Sequence, residues 1–428
     1  MSLTHPVRPD NPSGRPDPST GIYRHGFGLK GDVAGAIAGD YRCPLVDLIR
    51  NSDFQLEAGG LTILLAREFG FCYGVDKAVD YAYQTRRMFP DRRIFLTTEI
   101  IHNPRVNRRL MDMGIQFLAG QYACGVSADS LGPEDVVILP AFGASVEETE
   151  RLRATGCTLV DTTCGSVILV WKRVEKYARE GFTAIIHGKY YHEETVGTSS
   201  RVTQFPGGRY LVLRDKTEAA LVCDFIRGLV PATAVHDRFA PHAVSAGFDA
   251  ERDLVRIGMA NQTTMLSSES LEIAGMLRDA MAERYGVEQL DEHYRHFDTI
   301  CSATQERQDA ILHLGALNPD AILVVGGYNS SNTAHLVEIA GRFAPAYHVE
   351  DVSGLLSADE IRHRPFGAKE PVVSQGWLPP LPARIGLTAG ASTPNKAVGD
   401  VVRRLGELYG VTWPDPETGG EAERARNS

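Results

Sequence analysis

Two tetrapeptides carry the first hint of chemistry: Asp161-Thr162-Thr163-Cys164 and Asp298-Thr299-Ile300-Cys301. Each stands directly ahead of a helix-like segment. Cys72, in ILLAREFGFCYGVDKAV, occupies a third corner of the same kind. The next strand in each case ends in polar residues at a nearly fixed distance. His102 lies 30 residues after Cys72, His192 lies 28 after Cys164, and Asn329 lies 28 after Cys301. A further strand then ends in a small or polar turn: PAFG, NQTT or AGAS. The chain contains three copies of one strand–Cys–helix–strand–helix–strand unit, and such repetition outweighs any single local reading.

In open α/β units, ligands collect at the carboxyl ends of strands, beside helix N-termini. Three units packed about a pseudo-threefold axis would bring the three cysteines to one point. Three thiolates there could hold zinc or an iron–sulfur cluster of the 4Fe-4S type. A cluster with three cysteine ligands leaves one iron free to take a substrate oxygen, as a Lewis acid or an electron donor. Cys43, Cys124, Cys157 and Cys223 fall outside the repeat and read as small buried side chains.

The other strand ends suit an anion. His102 sits in EIIHNP, His192 in HGKYYHEET, and NSSN runs from Asn329 to Asn332. Helix-start N–H groups, hydroxyls, an amide and two histidines would hold phosphate oxygens. The chain has neither a G-x-x-x-x-G-K-[ST] loop nor a G-x-G-x-x-G fingerprint, so a nucleotide is not indicated. Glu193 and Glu194 follow His192. A carboxyl beside a reduced cluster and a bound anion keeps its proton, which suits a general acid. Chain neighbours point different ways, so at most one of the two should face the site.

The elements that must position these groups are legible as alternating patterns between about residues 61 and 410. TILLA, RIFLT, DVVILPA, CTLVD, TAIIHG, DLVRIGMA, AILVVGG and ARIGLTA read as short buried strands. Helical periods lie between most of them, such as Val75, Ala78, Val79 and Ala82. Ser145-Val146-Glu147-Glu148 reads as a capping box. Ser392-Thr393-Pro394 reads as a cap with proline at the first helical position, and Gly410 as a stop. This is α/β patterning with mostly parallel strands.

The bulk properties agree. A length of 428 residues suggests about three domains. A net charge of −10 argues against a general nucleic-acid binder and against an anionic membrane surface. No run of 18 apolar residues is present, so no transmembrane helix is expected. The proline-rich start resembles neither a signal nor a transit peptide. Seven cysteines with no C-x-x-C point to a reducing cytoplasm rather than a disulfide framework.

FGFCYGVDKAV, EIIHNP, VILPAFGAS, DTTC, IIHGKYYHEET, ANQTTM, DTICSATQERQDA, VVGGYNSSNT and LTAGASTP, in this order, resemble the 4-hydroxy-3-methylbut-2-enyl diphosphate reductase family, in its cyanobacterial and plant branch. The likeness covers about residues 20–410. It implies a trefoil of three pseudo-threefold-related α/β domains around one central 4Fe-4S cluster per chain, held by Cys72, Cys164 and Cys301. It implies reductive removal of an allylic hydroxyl, giving isopentenyl and dimethylallyl diphosphate. His102, His192, Ser330, Ser331, Asn332 and Ser392 would bind the diphosphate. Glu194 would deliver the proton, with Glu193 pointing away, and Thr263 would contact the substrate near its hydroxyl. A ferredoxin or flavodoxin would supply electrons. Two departures stand out: Phe142 occupies a position that is histidine in many bacterial members, and Gly165, not proline, follows Cys164.

The implied division is an N-terminal extension over 1–60, α/β repeats over 61–164, 165–300 and 301–411, and a disordered tail over 412–428. Two other readings compete. A quinolinate-synthase-like dehydrating enzyme would call for arginine forks at the strand ends. A metal sensor or structural zinc protein would need a fourth ligand that the repeat does not supply.

Overall fold

The structure, a computed structural model, describes residues 15–17 and 21–414. Most of the expected tail, from residue 415, lies outside the described residues. The strands form because apolar runs are covered on both faces. Val136-Val137-Ile138-Leu139 is buried at all four positions and Ala321–Val325 at all five. Such strands need no alternation, and a parallel sheet between helices is where they belong.

β1 (Gln55–Ala58) and β2 (Leu61–Leu65) form an antiparallel pair. β3 (Ile94–Leu96), β4 (Ile115–Phe117), β5 (Val136–Leu139) and β6 (Thr158–Asp161) make a parallel sheet in the order β4-β3-β5-β6. β7 (Thr183–His187), β8 (Tyr210–Leu213), β9 (Ile257–Asn261) and β10 (Tyr294–His296) repeat it as β8-β7-β9-β10. β11 (Ala321–Val325) and β12 (Ala346–Val349) begin the third sheet. A hairpin of β13 (Glu360–His363) and β14 (Val372–Gln375) precedes β15 (Ala383–Ala389). The third order is β12-β11-β15-β2-β1, so β2 from early in the chain takes the fourth place, parallel to β15.

The three sheets therefore share one order, and the fourth-place strand of each, β6, β10 or β2, runs on into a repeat cysteine. Each sheet is packed by its own apolar core. The Tyr73–Met88 helix buries Val75, Ala78, Val79 and Ala82, the stripe its spacing predicts. Ser145 Oγ accepts the Glu148 N–H at 3.1 Å and caps Val146–Ala154. Gly410 ends the last helix with φ +67°. One cap differs from expectation. The last helix is Asn395–Tyr409 with Pro394 outside it at the N-cap. The hydroxyls of Ser392 and Thr393 are committed elsewhere, to the carbonyls of His102 and Val325.

Candidate functional site

Cys72, Cys164 and Cys301 are each the N-cap residue of a helix: Tyr73–Met88, Gly165–Arg179 and Ser302–Gly315. All three backbones are extended, and none of the thiols caps its own helix. Their N–H groups repeat one hydrogen bond. Cys72 donates to Ala391 O at 3.1 Å, Cys164 to Ala141 O at 2.9 Å and Cys301 to Thr263 O at 3.3 Å. Each acceptor lies two residues beyond the strand beside the cysteine's own, β15, β5 or β9. The corner is thus fixed by the same local rule three times.

The corners lie close to one another. A Cβ on Gly74 would stand 2.5 Å from Cys164 Sγ. Burial pushes the Cys301 thiol up to about 11, and nearby Cys72 adds to that. Burial also raises Cys72, helped by Cys164 and opposed by buried Arg307. Arg307 is anchored by donating to the carbonyls of Gly70 and Ala303. Three inward helix N-termini favour the thiolate forms. Among the described residues the three sulfurs do not gather within 4.8 Å. One zinc ion, with sulfurs at about 2.3 Å, would require a tighter set. A polynuclear iron–sulfur group has the necessary breadth, and the all-thiol donor set fits it.

A cavity of about 890 Å³ is lined by His102, Lys189, His192, Ser330 and Arg364 among others. Three contacts join the units around it. His102 Nε2 lies 3.2 Å from His192 Nε2, between the first and second units. Lys189 Nζ donates to Ser331 Oγ at 3.1 Å, between the second and third. Ser392 Oγ donates to the His102 carbonyl at 3.2 Å, closing the third on the first. Ser330 caps the Ser331–Ala340 helix by accepting the Thr333 N–H. Asn332 Oδ1 accepts the Ala391 N–H at 3.0 Å, while its buried Nδ2 has no partner. That orphan donor suits an anion's oxygen. A second cavity, of about 800 Å³ along the Lys30–Tyr41 and Tyr73–Met88 helices, holds none of the expected site residues.

Glu194 connects the two halves of the site. Its carboxylate accepts the Thr263 N–H at 2.6 Å and the Thr263 hydroxyl at 3.0 Å. Thr263 is the residue whose carbonyl holds Cys301. Glu194 is 2 % exposed, and burial pushes its carboxyl up to about 7 against the lowering by those hydrogen bonds. It stands in the first turn of Glu193–Thr203, the helix that His192 caps by accepting the Glu194 N–H on Nδ1.

Glu193 departs from expectation. Its carboxylate lies 3.8 Å from His102 Nε2 instead of pointing away. At the first helical position its side chain folds back toward the N-terminus, and that direction faces the cavity. Glu99, Gln121, Lys189 and Arg364 were missed. Glu99 lies three residues before His102 and meets its Nδ1 at 3.1 Å. Gln121 donates to Glu99 at 2.5 Å. Of the cysteines outside the repeat, Cys43, Cys157 and Cys223 are buried, whereas Cys124 is exposed. Phe142 stacks on His102 with ring centroids 4.3 Å apart. No helix among the described residues is long and apolar enough to cross a membrane.

Residues 63–406 match the family model described as LytB protein. A protein of Thermosynechococcus vestitus named 4-hydroxy-3-methylbut-2-enyl diphosphate reductase is 47% identical, across 92% of this chain and 96% of its own. One of the same name from Gloeobacter violaceus is 48% identical, across 92% and 94%. The solved structure of the E-1-hydroxy-2-methyl-but-2-enyl-4-diphosphate reductase from Plasmodium falciparum superposes with TM-score 0.59 at 20% identity, covering 86% of this chain and 99% of that one. That likeness places the three sheets in the trefoil arrangement of that fold. The chain belongs to the LytB protein family.

Proposed function

We propose that this protein reduces 4-hydroxy-3-methylbut-2-enyl diphosphate. Two electrons and two protons remove the allylic hydroxyl as water and yield isopentenyl and dimethylallyl diphosphate. The names of the close relatives support the reaction. The observation that carries it is Glu194: a buried acid hydrogen-bonded to Thr263, with a cysteine corner on one side and the His102–His192 pair on the other.

Cys72, Cys164 and Cys301 would hold one 4Fe-4S cluster per chain, which would supply the electrons and a Lewis-acid site. The chain's own residues do the rest. Ser330, Ser331, Asn332 and Ser392 offer hydroxyl and amide groups at two strand ends, and His102 and His192 add ring nitrogens. Diphosphate bound there turns the carbon chain toward Glu194 and Thr263. Thr263 orients the hydroxyl, and Glu194 holds the proton that the departing oxygen or the carbon fragment needs. Buried walls restrict solvent protons, so the acid must be built in. Electrons arrive from a one-electron carrier such as a ferredoxin or flavodoxin, in the cytoplasm.

Anaerobic purification with iron and sulfide analysis, followed by turnover with a chemical reductant and identification of the products, tests this reading. Iron-loaded protein that leaves the substrate unchanged would overturn it.

A further inference from the structure

Lys189 lies between β7 and the helix capped by His192, and its side chain lines the 890 Å³ cavity. Its backbone is held on both sides. The Lys189 N–H donates to Gln262 Oε1 at 3.1 Å, and its carbonyl accepts the His192 N–H at 2.9 Å. Its ammonium is half-buried and donates to Ser331 Oγ. Among the described residues it forms no ion pair. Glu99 and Glu193, carboxylates that line the same cavity, are engaged with His102 and His192.

A shielded cation without a counter-ion is costly unless a ligand supplies the charge. Burial, and then the guanidinium of Arg364, lower the Lys189 ammonium below the ordinary lysine range, with no carboxylate close enough to offset them. His192 cannot supply the cation. Burial, His102 and Lys189 together hold its imidazole well below the usual histidine range. Phe142, stacked on His102, has no donor at all.

We propose that Lys189 is a further substrate-binding residue, the ammonium that neutralises the diphosphate beside Ser331. The assignment rests on the diphosphate reading above. A phosphate oxygen bridging Nζ and Ser331 Oγ would take the place of their present hydrogen bond. Lys189 also belongs to the second unit and Ser331 to the third, so a bound diphosphate ties these units together.

Inorganic diphosphate, titrated calorimetrically into iron-loaded protein, provides the test. Lys189→Met should weaken binding by roughly 10- to 100-fold, the weight of a charge-assisted hydrogen bond, and should flatten its salt dependence. Lys189→Arg should recover most of the loss. Lys216→Met removes an exposed lysine paired with Glu272 and should change nothing. Cluster absorbance should be the same in all four proteins, which separates lost binding from lost folding. Wild-type binding matched within twofold by Lys189→Met overturns the role of Lys189 alone. Wild-type protein that neither binds diphosphate nor turns over substrate overturns the functional reading as well.

Discussion

His102 Nε2 and His192 Nε2 stand 3.2 Å apart, and only one proton fits between them. His192 Nδ1 accepts the Glu194 N–H, so the His192 proton sits on Nε2 and points at His102. His102 Nδ1 donates to Glu99, which leaves its Nε2 as the acceptor. A phosphate oxygen needs donors from both rings. An anion that accepts from both rings would have to break this contact, beside the carboxylates of Glu99 and Glu193.

The hold of Glu99 on the His102 ring gives the first expectation. Glu99→Gln weakens the hydrogen bond that orients that ring, so calorimetry of inorganic diphosphate should show the affinity drop by roughly tenfold. Equal affinity in both proteins would contradict this account of the pair.

The cysteine corners make the second. Cys72→Ser, Cys164→Ser and Cys301→Ser should each lose most of the iron and all turnover. Cys157→Ser and Cys223→Ser should keep both, since these buried thiols, one just before β6 and one within the Lys216–Ile226 helix, stand away from the corners. Iron and sulfide content read directly on the purified proteins decides it, and full iron in Cys301→Ser would sink the assignment.

Acid stability supplies the third. His187, His335 and His348 are buried, and burial lowers each to about 4. Their unfolded values are the ordinary one, about 6.5. Between these limits the unfolded chain binds more protons than the folded one, so stability falls as pH drops from about 6.5 to about 4. Most carboxylates titrate at the bottom of that window or below. Urea midpoints at pH 7, 6, 5 and 4.5 should decline steadily. His348→Gln can keep the bond to Gly326 O from its amide, and it should flatten the decline. An unchanged slope in that variant would argue against the histidine origin.

The sequence disclosed the repeat because chemistry and geometry coincide there. A cysteine must follow a fourth-place strand and cap a helix, so the three corners read alike. The eight strands read from apolar runs are all present. β4, β8 and β12 escaped notice because they sit at sheet edges and are only three or four residues long, as in Ile115-Gln116-Phe117. The exchange of β2 into the third sheet was also invisible, since pairing over some 320 residues leaves no local trace. Within the candidate site, the motifs named residues that the structure brings near one another, while the partners of those residues were not named. Glu99 and Gln121 matter because of where folding brings them. Lys189 stood in the HGKYYHEET motif, but a lysine there reads as solvated until its lack of a counter-ion is known. Glu193 was misplaced because alternation is a strand rule, and this pair begins a helix.

Glu194 gives the last prediction. A carboxyl at about 7 is partly protonated at neutral pH and can act as an acid there. Only the protonated form can serve, so kcat/KM should fall as pH rises through about 7. Thr263 lowers this carboxyl through its N–H and hydroxyl. Thr263→Val removes the hydroxyl contribution, so the falling limb should move to higher pH even as the substrate contact weakens. Glu194→Gln keeps the side-chain volume and can still accept the Thr263 N–H, but it has no titratable proton. It should retain iron and diphosphate affinity while turnover drops by roughly 10²–10⁴-fold, the usual weight of a general acid. Glu193→Gln removes a more exposed carboxylate beside the histidines and should alter binding more than kcat. The comparison needs anaerobic kcat and substrate Kd for each variant across pH 6–9. Wild-type turnover in Glu194→Gln, or a larger kcat loss in Glu193→Gln, would move the acid away from Glu194. A pH limb unmoved by Thr263→Val would show that the titrating group is not the carboxyl it holds.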